Sequence, residues 1–497
     1  MKILALKRWA GLAIAALVIG APLAAMAQNA TNAATNAPAA ANATATNAAA
    51  SNDASNAATN AAAPAAAASA GNPDATHDYS KDSVNSGDTA WMLTSSVLVL
   101  MMTIPGLALF YAGMVRKKNI LATLAQSFGA TAVITVAWMV IGYSIAFTGG
   151  GTSGMAPFVG SFKYFLLAPL NADINIASPL APTIPETVYM FFQMTFAIIT
   201  PALIAGALAD RMKYSAFLLF MFFWLILVYC PIAHWVWGGG WLGTMGALDY
   251  AGGTVVHLNA GTAGLVAALM LGKRKGLGTE NFAPFNPAYA VIGASLLWVG
   301  WFGFNAGSAV EAHDGQAGMA AAATQIATAA AALAWMFMEW LIAKKPTVIG
   351  MASGAVAGLV AITPASGFVN PTGALIIGIA AGVVCYFASV HVKKMLGFYD
   401  DALDCWGVHG VGGALGAFMT GMFASNKINS ASKGWLLDGN FHQMWLQLID
   451  VLAVFLYSGI GTFIILAVLK YTIGIRVSED VEVEGLDINL HGEVVQG

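Results

Sequence analysis

From residue 88 onward the chain alternates long apolar stretches with short loops, a pattern that restricts it to a helical membrane protein. A helix that crosses lipid hydrocarbon needs about 20 consecutive apolar residues. Charged residues make up only 9% of the sequence, whereas soluble domains carry roughly 25%. The stretches predict eleven transmembrane helices, at 89–114, 120–147, 186–209, 214–236, 251–272, 287–308, 316–343, 347–366, 372–392, 404–424 and 444–474. We therefore predict an all-α membrane protein.

Basic residues predict the orientation of these helices, because cytoplasmic loops of membrane proteins are enriched in Lys and Arg. Of the 18 Lys and Arg residues that follow Arg8, 14 lie in alternate connections between the predicted helices. The 14 are Arg116, Lys117, Lys118, Arg211, Lys213, Lys273, Arg274, Lys275, Lys344, Lys345, Lys393, Lys394, Lys470 and Arg476. This distribution predicts an external N-terminus and a cytoplasmic C-terminus, and both together require an odd number of spans.

The N-terminal region differs in composition from the rest of the chain. The first 27 residues have the basic region, the apolar stretch and the small-residue cleavage site, ending at Ala27, of a secretory signal peptide. Residues 28–87 are mostly Ala, Asn, Thr and Ser and cannot bury a core, so we expect a disordered external arm. We expect a transmembrane domain at 88–475 and a cytoplasmic tail at 476–497.

The composition excludes several classes of protein. A net charge of −3 provides no electrostatic footprint for nucleic acid. The three cysteines lie in apolar segments and lack the spacing of a zinc site or of a disulfide framework. The sequence contains no motif for a catalytic nucleophile, a phosphate loop or a metal cluster. We therefore predict no enzymatic activity, no cofactor, no metal and no nucleic-acid partner.

Two segments of the chain resemble each other. Residues 253–272 read GTVVHLNAGTAGLVAALMLG, and residues 406–423 read WGVHGVGGALGAFMTGMF. They belong to the fifth and tenth predicted helices, so the halves form an inverted repeat of five helices each, followed by a final long helix. Many transporters have this plan, with the solute path at the repeat interface. Close packing of helices alone also favours small residues at this spacing.

Each of the two segments carries a histidine that is predicted to lie deep in the membrane. Asp249 begins the fifth helix as a candidate N-cap, and His257 lies about 12 Å deeper by the helical rise. Asp404 begins the tenth helix from the opposite side, and His409 follows five residues later. A neutral imidazole pair that shares a proton presents a donor and an acceptor to a passing solute. A single buried histidine, however, is more often structural.

Aromatic residues give a second indication of a solute path. Phe196, Trp237 and Phe304 lie in apolar segments, and Ser308 follows Phe304 by one helical turn. Aromatic faces partly compensate a cation that loses its water at a pore mouth. Aromatic residues also fill most membrane cores, and two buried histidines are compatible with axial ligation of haem. The residues alone therefore leave a pore, a packed core and a haem protein open.

The same segments resemble the ammonium transporter family (Amt/Mep, related to the Rhesus glycoproteins), in its bacterial Amt form. The motif DYAGGTVVHLNAGTAGL carries the resemblance, and AWMLTSSVLVLMMTIPGLALFYAGMVRKKN, WFGFNAGSA and DDALDCWGVHGVGGALG support it. The similarity extends from residue 88 to the C-terminus, and the arm at 28–87 is no part of the family pattern. The resemblance implies a homotrimer in the bacterial inner membrane, with eleven spans and one pore in each protomer.

The resemblance also implies roles for individual residues at the external end of the pore. Trp237, Ser308 and Phe196 resemble the family's external recognition site. Phe196 and Phe304 resemble the stacked gate that lies below it. Asp249 resembles the family's essential aspartate, which supports the recognition site without coordinating the ion directly.

Deeper in the membrane, His257 and His409 resemble the twin histidines that line the family's pore, while Asp404 is interpreted as a helix-end residue. The resemblance implies a transporter that recruits ammonium, deprotonates it and conducts ammonia, with methylammonium as a related solute and separate proton transfer as an option. The tail at 476–497 resembles the segment that meets PII-type regulatory proteins. The alternatives are an ammonium sensor of the same fold and, after it, a haem protein that uses both histidines.

Overall fold

Helices form most of residues 84–495, the part of the chain that the structure, a computed structural model, describes. The predicted signal peptide and nearly all of the predicted arm lie outside the described residues. The helices at the predicted positions are α1 (Ser86–Met114), α2 (Lys117–Phe147), α3 (Glu186–Leu208), α4 (Tyr214–Met245), α5 (Gly253–Leu271), α6 (Pro287–Ala309), α7 (Gln316–Ala343), α8 (Val348–Ile362), α9 (Pro371–Leu396), α10 (Cys405–Gly410 followed by Val411–Phe423) and α11 (His442–Thr472).

Nine of these helices are long and apolar enough to cross a membrane, counted over residues 84–495. The remaining two are α8, which has 15 residues, and α10, whose sequence is diluted by glycines and by His409. A multi-pass membrane protein follows from the nine helices. The count of eleven spans, the inverted repeat and the orientation of the termini stay predictions.

The first helix begins inside the segment that composition assigned to the arm. Asn85 is its N-cap, and the Asn85 side chain accepts hydrogen bonds from the backbone N–H groups of Gly87 and Asp88 at 2.8 and 3.1 Å. A capping side chain satisfies donors that a helix start leaves free. Hydropathy does not detect polar capping residues of this kind. The predicted start of α1 therefore lies three residues after the observed start at Ser86.

The connections contain small elements that hydropathy did not predict. Strands β1 (Ala177–Ser178) and β2 (Ala181–Pro185) form an antiparallel hairpin between α2 and α3. A helical turn at Trp435–Asp438 precedes α11. Beyond α11, a short helix α12 (Glu479–Glu484) and a turn at Asp487–His491 belong to the predicted tail.

Helices α5 and α10 cross in close contact, and glycine makes the contact possible. The start of α10 packs on the body of α5, and the body of α10 packs on the start of α5. Any Cβ at Gly261 would collide with the backbone of Gly410, and a Cβ at Gly413 would lie only 2.5 Å from the carbonyl oxygen of Gly253. The small residues of the repeated segments therefore let two backbones approach, as they do in many membrane interfaces.

The C-terminal tail packs against the ends of several helices. The Asp487 carboxylate accepts hydrogen bonds from the N–H groups of Leu121 and Ala122 at 3.0 and 2.8 Å, and so caps α2. The Lys275 N–H donates to Glu482 of the tail at 2.7 Å, and the preceding residue, Arg274, pairs with Asp400 at 2.9 Å. Burial raises the pKa of Asp400, but the hydrogen bonds and charge of Arg274 outweigh burial and leave this pKa below its ordinary value. The tail thus forms part of the folded protein.

Candidate functional site

Five aromatic rings form a continuous column through the middle of the helices. Trp237 meets Phe196 edge to face at 5.9 Å between ring centroids, and Phe196 stacks on Phe304 at 4.1 Å. Phe304 lies 5.8 Å from the imidazole of His257, which in turn stacks on His409 at 5.3 Å. All five side chains are buried. We call these five residues the ring column.

Five different segments of the chain supply the ring column, and three of its members lie where a helix widens into π-helical geometry. His257 lies in the π-helical stretch Gly253–Leu258, Phe304 in Phe302–Ala306 and His409 in Cys405–Gly410. A π-helical turn changes the direction in which side chains point, and such turns often occur at functional sites. The column therefore combines residues that are distant in sequence with helix geometry that directs them inward.

The two histidines are in direct contact. Their Nδ1 atoms lie 3.2 Å apart, so one ring donates and the other accepts through Nδ1. The Nε2 atom of His257 is buried and has no hydrogen-bond partner among the described residues. In a neutral pair with one shared Nδ1 hydrogen, one Nε2 atom is a donor and the other an acceptor. The pair therefore offers unused hydrogen-bonding capacity inside an apolar environment.

Trp301 fixes the orientation of His257 and was not singled out from the sequence. Its ring stacks on the His257 imidazole at 5.2 Å between centroids and with an interplanar angle of 18°. The Trp301 indole N–H donates to the Thr363 hydroxyl at 2.9 Å, which anchors the ring. Aromatic residues are abundant throughout the chain, so no signal in the sequence distinguished this one.

Asp249 organises the start of α5. Its carboxylate accepts hydrogen bonds from the backbone N–H groups of Gly252, Gly253, Thr254 and Val255 at 2.6–3.1 Å, and from the Thr254 hydroxyl at 2.7 Å. The Asp249 carbonyl accepts from the Trp237 indole N–H at 2.9 Å. One residue thus holds both the helix that carries His257 and the ring at the end of the column.

Ser308 lies one helical turn beyond Phe304. Its hydroxyl donates to the Phe304 carbonyl at 2.8 Å, and the residue is 5% exposed. The hydroxyl oxygen keeps its acceptor capacity, because a hydroxyl combines one donor with two lone pairs. Ser308 therefore places an acceptor near the stacked pair of Phe196 and Phe304.

At the start of α10 the capping role belongs to Asp401, not to Asp404. The Asp401 carboxylate accepts from the N–H groups of Cys405 and Trp406 at 3.0 and 2.7 Å, and burial raises its pKa to about 6. Asp404 is the residue before the helix, but its side chain pairs with Lys393. Asp401 precedes His409 by eight residues, the same spacing that separates Asp249 from His257. This repeated spacing is the sequence signal that distinguishes Asp401 from Asp404, and the prediction from helix ends alone overlooked it.

Two groups within residues 84–495 have side chains of the types that bind haem or metal ions, namely the two histidines and one acidic cluster. Axial haem ligands lie on opposite faces of a flat ring, whereas His257 and His409 are hydrogen bonded to each other. Among residues 84–495, Asp88, Glu311 and His313 have ligand atoms within 4.8 Å of one another, a spacing compatible with a metal. Asp88, however, already accepts from the Ala312 N–H and the His313 ring at 2.8 and 3.0 Å.

Comparisons with known proteins agree on one family. Residues 90–496 match the model of the "Ammonium Transporter Family". An Aquifex aeolicus protein named "Ammonium transporter" is 51% identical over 418 residues, which cover 83% of this chain and 94% of the relative. The crystal structure of Candida albicans Mep2 aligns with a TM-score of 0.73 at 35% identity, covering 81% of this chain and 89% of Mep2. A structure titled "Sensor Amt Protein" aligns with a TM-score of 0.72 at 28% identity, covering 82% and 98% of the two chains.

Proposed function

Because the chain belongs to the ammonium transporter family, we propose that its ring column is the route by which it carries ammonium across a membrane. The continuous contact from Trp237 to His409 is the observation on which the proposal depends. It joins an aromatic entrance to a buried pair of hydrogen-bonding rings without an intervening charged side chain. Such a column suits a solute that is a cation in water and a neutral molecule in the membrane.

Recruitment occurs at the end of the column that contains Trp237. The faces of Trp237 and Phe196 attract a cation that is losing water, and the Ser308 hydroxyl oxygen provides an acceptor for an ammonium N–H. The backbone carbonyl of Asp249 keeps Trp237 in place by accepting a hydrogen bond from the Trp237 indole N–H. We assign Trp237, Phe196, Ser308 and Asp249 to this recognition site.

Deprotonation occurs at the gate, which Phe196 and Phe304 form. Their rings stack 4.1 Å apart and close the column to a hydrated ion. A bare cation in this apolar environment is very costly, whereas neutral ammonia is much less so. Ammonia then passes His257 and His409, which supply a donor and an acceptor in turn. The released proton crosses separately along this hydrogen-bonded imidazole pair, so that transport carries a net charge. Potassium has no proton to release, so this route excludes it.

The test measures ammonium-evoked current in proteoliposomes that contain the wild type, His257→Ala or His409→Ala. Each substitution removes one hydrogen-bonding ring from the pore, so we expect the current to fall by about tenfold or more. His391→Ala is the matched control, because His391 lies on the spanning helix α9 and contacts Tyr386 outside the column. Undiminished ammonium current together with unchanged potassium exclusion in both column variants would discard the proposed role of the histidines.

An ammonium sensor is the second candidate, and the similarity to the structure titled "Sensor Amt Protein" favours it. A sensor binds ammonium at the recognition site without sustained flux. Calorimetric binding combined with an absence of current and of methylammonium uptake in the same preparation would identify a sensor. Uptake that exceeds one solute per binding site would identify a transporter.

The finer features of the proposal concern the assembly and its surroundings. We propose a homotrimer in a bacterial inner membrane, with a cleaved signal peptide, an external N-terminus and a cytoplasmic C-terminus. The tail, which contains α12 and contacts the start of α2 through Asp487, is the segment that we propose a PII-type protein contacts. Co-elution of the purified protein with a PII-type protein, lost when residues 476–497 are removed, is the expected result.

A further inference from the structure

Helix α11 carries a stripe of polar residues on its buried face. The stripe consists of Gln443, Gln447, Asp450, Ser458 and Thr462. Gln443 donates to the Gly246 carbonyl at 2.9 Å, and Gln447 bonds to both the N–H and the carbonyl of Leu248 at 2.7 and 2.8 Å. Ser458 donates to the Asn259 carbonyl at 2.8 Å, and Thr462 accepts from the Trp224 indole at 2.9 Å. The stripe therefore attaches α11 to α4, to α5 and to the loop between these two helices.

Asp450 is the exception in this stripe. It is 0% exposed, and neither of its carboxyl oxygens has a hydrogen-bond partner among the described residues. The groups that face it are the Thr254 hydroxyl and the Asp249 carboxylate. Asp249 is the one charged group that acts on Asp450 in residues 84–495. This buried acid beside the recognition site therefore lacks a counter-ion, and the Thr254 hydroxyl is the one side-chain donor near it among the described residues.

The hydrogen bonds of Thr254 determine what Asp450 faces. The Thr254 hydroxyl has one hydrogen, which it donates to Asp249 at 2.7 Å. The hydroxyl oxygen consequently presents only lone pairs to Asp450. An ionised Asp450 would face these lone pairs and the negative charge of Asp249 in a low-dielectric environment, which is strongly unfavourable. A protonated Asp450 instead supplies the hydrogen that the Thr254 oxygen is able to accept.

We propose that Asp450 holds a proton in the resting protein and directs it to the Thr254 hydroxyl, so that two adjacent carboxyls carry a single negative charge. Asp450 then acts as a positioning residue: it orients Thr254 towards Asp249, and Asp249 holds the start of α5 and Trp237. The proposal rests on the proposed function only in assigning Trp237 to the recognition site. The protonation state of Asp450 is independent of what the protein transports.

Infrared spectroscopy of the detergent-purified full-length protein tests the protonation state directly. We expect the wild type at neutral pH to show a C=O stretching band of a protonated carboxyl that shifts in heavy water and is absent from Asp450→Asn. Asp480→Asn is the matched control, because Asp480 is an exposed acid on α12 and its removal should leave this band intact. If the spectra of wild type and Asp450→Asn show the same band, Asp450 is ionised and the proposal is overturned.

Transport measurements test the positioning role. Asparagine keeps an N–H donor without charge, so we expect Asp450→Asn to retain the ammonium current to within about twofold. Leucine removes the donor, so we expect Asp450→Leu to weaken the apparent ammonium affinity by about fivefold, equivalent to one hydrogen bond. A correctly assembled Asp450→Asn protein without current would show that the negative charge is needed, which contradicts the proposal.

These two readouts separate the possible failures. If the wild type carries no ammonium, the proposed function fails while the infrared band still decides the state of Asp450. If Asp450→Leu does not fold, the comparison of Asp450→Asn with the wild type still decides the proposal.

Discussion

Gly413 is the position where the packing of α5 against α10 leaves no room for a side chain. A Cβ there would lie 2.5 Å from the Gly253 carbonyl oxygen, 2.8 Å from the Leu258 nitrogen and 3.1 Å from the His257 Cβ. Two of these three neighbours are backbone atoms, which cannot rotate away. We therefore expect Gly413→Ala to push the two helices apart at the level of the histidines.

The displacement is estimated from ordinary contact distances. A relaxed carbon–oxygen contact is about 3.3 Å, so the Gly253 carbonyl has to retreat by about 0.8 Å. His257 borders the collision directly and His409 lies one turn from Gly413, so their Nδ1–Nδ1 distance of 3.2 Å increases to about 4 Å, beyond hydrogen-bond range. Overpacking of this kind costs about 1–3 kcal/mol of folding free energy. Loss of the imidazole hydrogen bond lowers the ammonium current by about tenfold.

The assay combines proteoliposome current with thermal unfolding of the purified protein. Gly459→Ala is the matched control, because a Cβ at Gly459 meets only the Thr262 side chain at 3.6 Å, an ordinary contact. We expect the control to conduct and unfold as the wild type does. If Gly413→Ala also does so, the close approach of α5 and α10 does not set the geometry of the histidines and the reasoning is refuted.

Two further predictions concern residues outside the ring column. The hydrogen bond to Asp88 raises the pKa of His313 above its ordinary 6.5, so its stabilising contribution is complete below that value and is lost as pH rises through the raised pKa. We expect His313→Gln to lower the Tm more at about pH 6 than at about pH 9. Asp487→Ala removes the cap of α2, so we expect about 1 kcal/mol of destabilisation and faster amide hydrogen exchange in residues 476–495.

Each of these predictions has a control. His442→Gln replaces an exposed histidine at the start of α11, and we expect no pH-dependent change in Tm. A loss of stability in His313→Gln that is equal at both pH values would contradict the first prediction. Asp487→Asn keeps an acceptor oxygen and is expected to restore most of the protection in the tail. If amide hydrogen exchange in the tail of Asp487→Ala is as slow as in the wild type, the Asp487 carboxylate does not hold the tail in place.

Hydropathy predicted the positions of the helices because a helix that crosses lipid has to be long and apolar, and nine of α1 to α11 meet this requirement over residues 84–495. It did not predict β1 and β2 at 177–185, since this hairpin lies in a mixed-polarity loop where apolar periodicity carries little information. It correctly ended the fourth continuous helix at residue 236, but it did not predict the separate helical turn Trp241–Met245 that completes α4 after a Gly-rich break. Element ends depend on local hydrogen bonds that composition does not reveal.

The sequence predicted some residues of the candidate site and its surroundings but not others. His257 and His409 were found because an ionisable residue in a membrane span is unusual and therefore informative. Asp401 was missed because Asp404 is the acid closest to the helix start, although the eight-residue spacing from Asp401 to the histidine was visible. Asp450 was missed although it too is an ionisable residue in a predicted span. Nothing in the sequence of α11 shows, however, that this residue points towards the start of α5.

The hydrogen bonds of Asp249 have a consequence for ions other than ammonium. An acidic side chain near the entrance of a cation route is a potential trap for calcium or magnesium, which require oxygen ligands. An ionised carboxylate offers about four lone-pair sites, and donors from Gly252 to Val255 already occupy them. Asp249 thus has no carboxylate oxygen left to offer, so we expect divalent ions in the medium to find no ligand at this carboxylate.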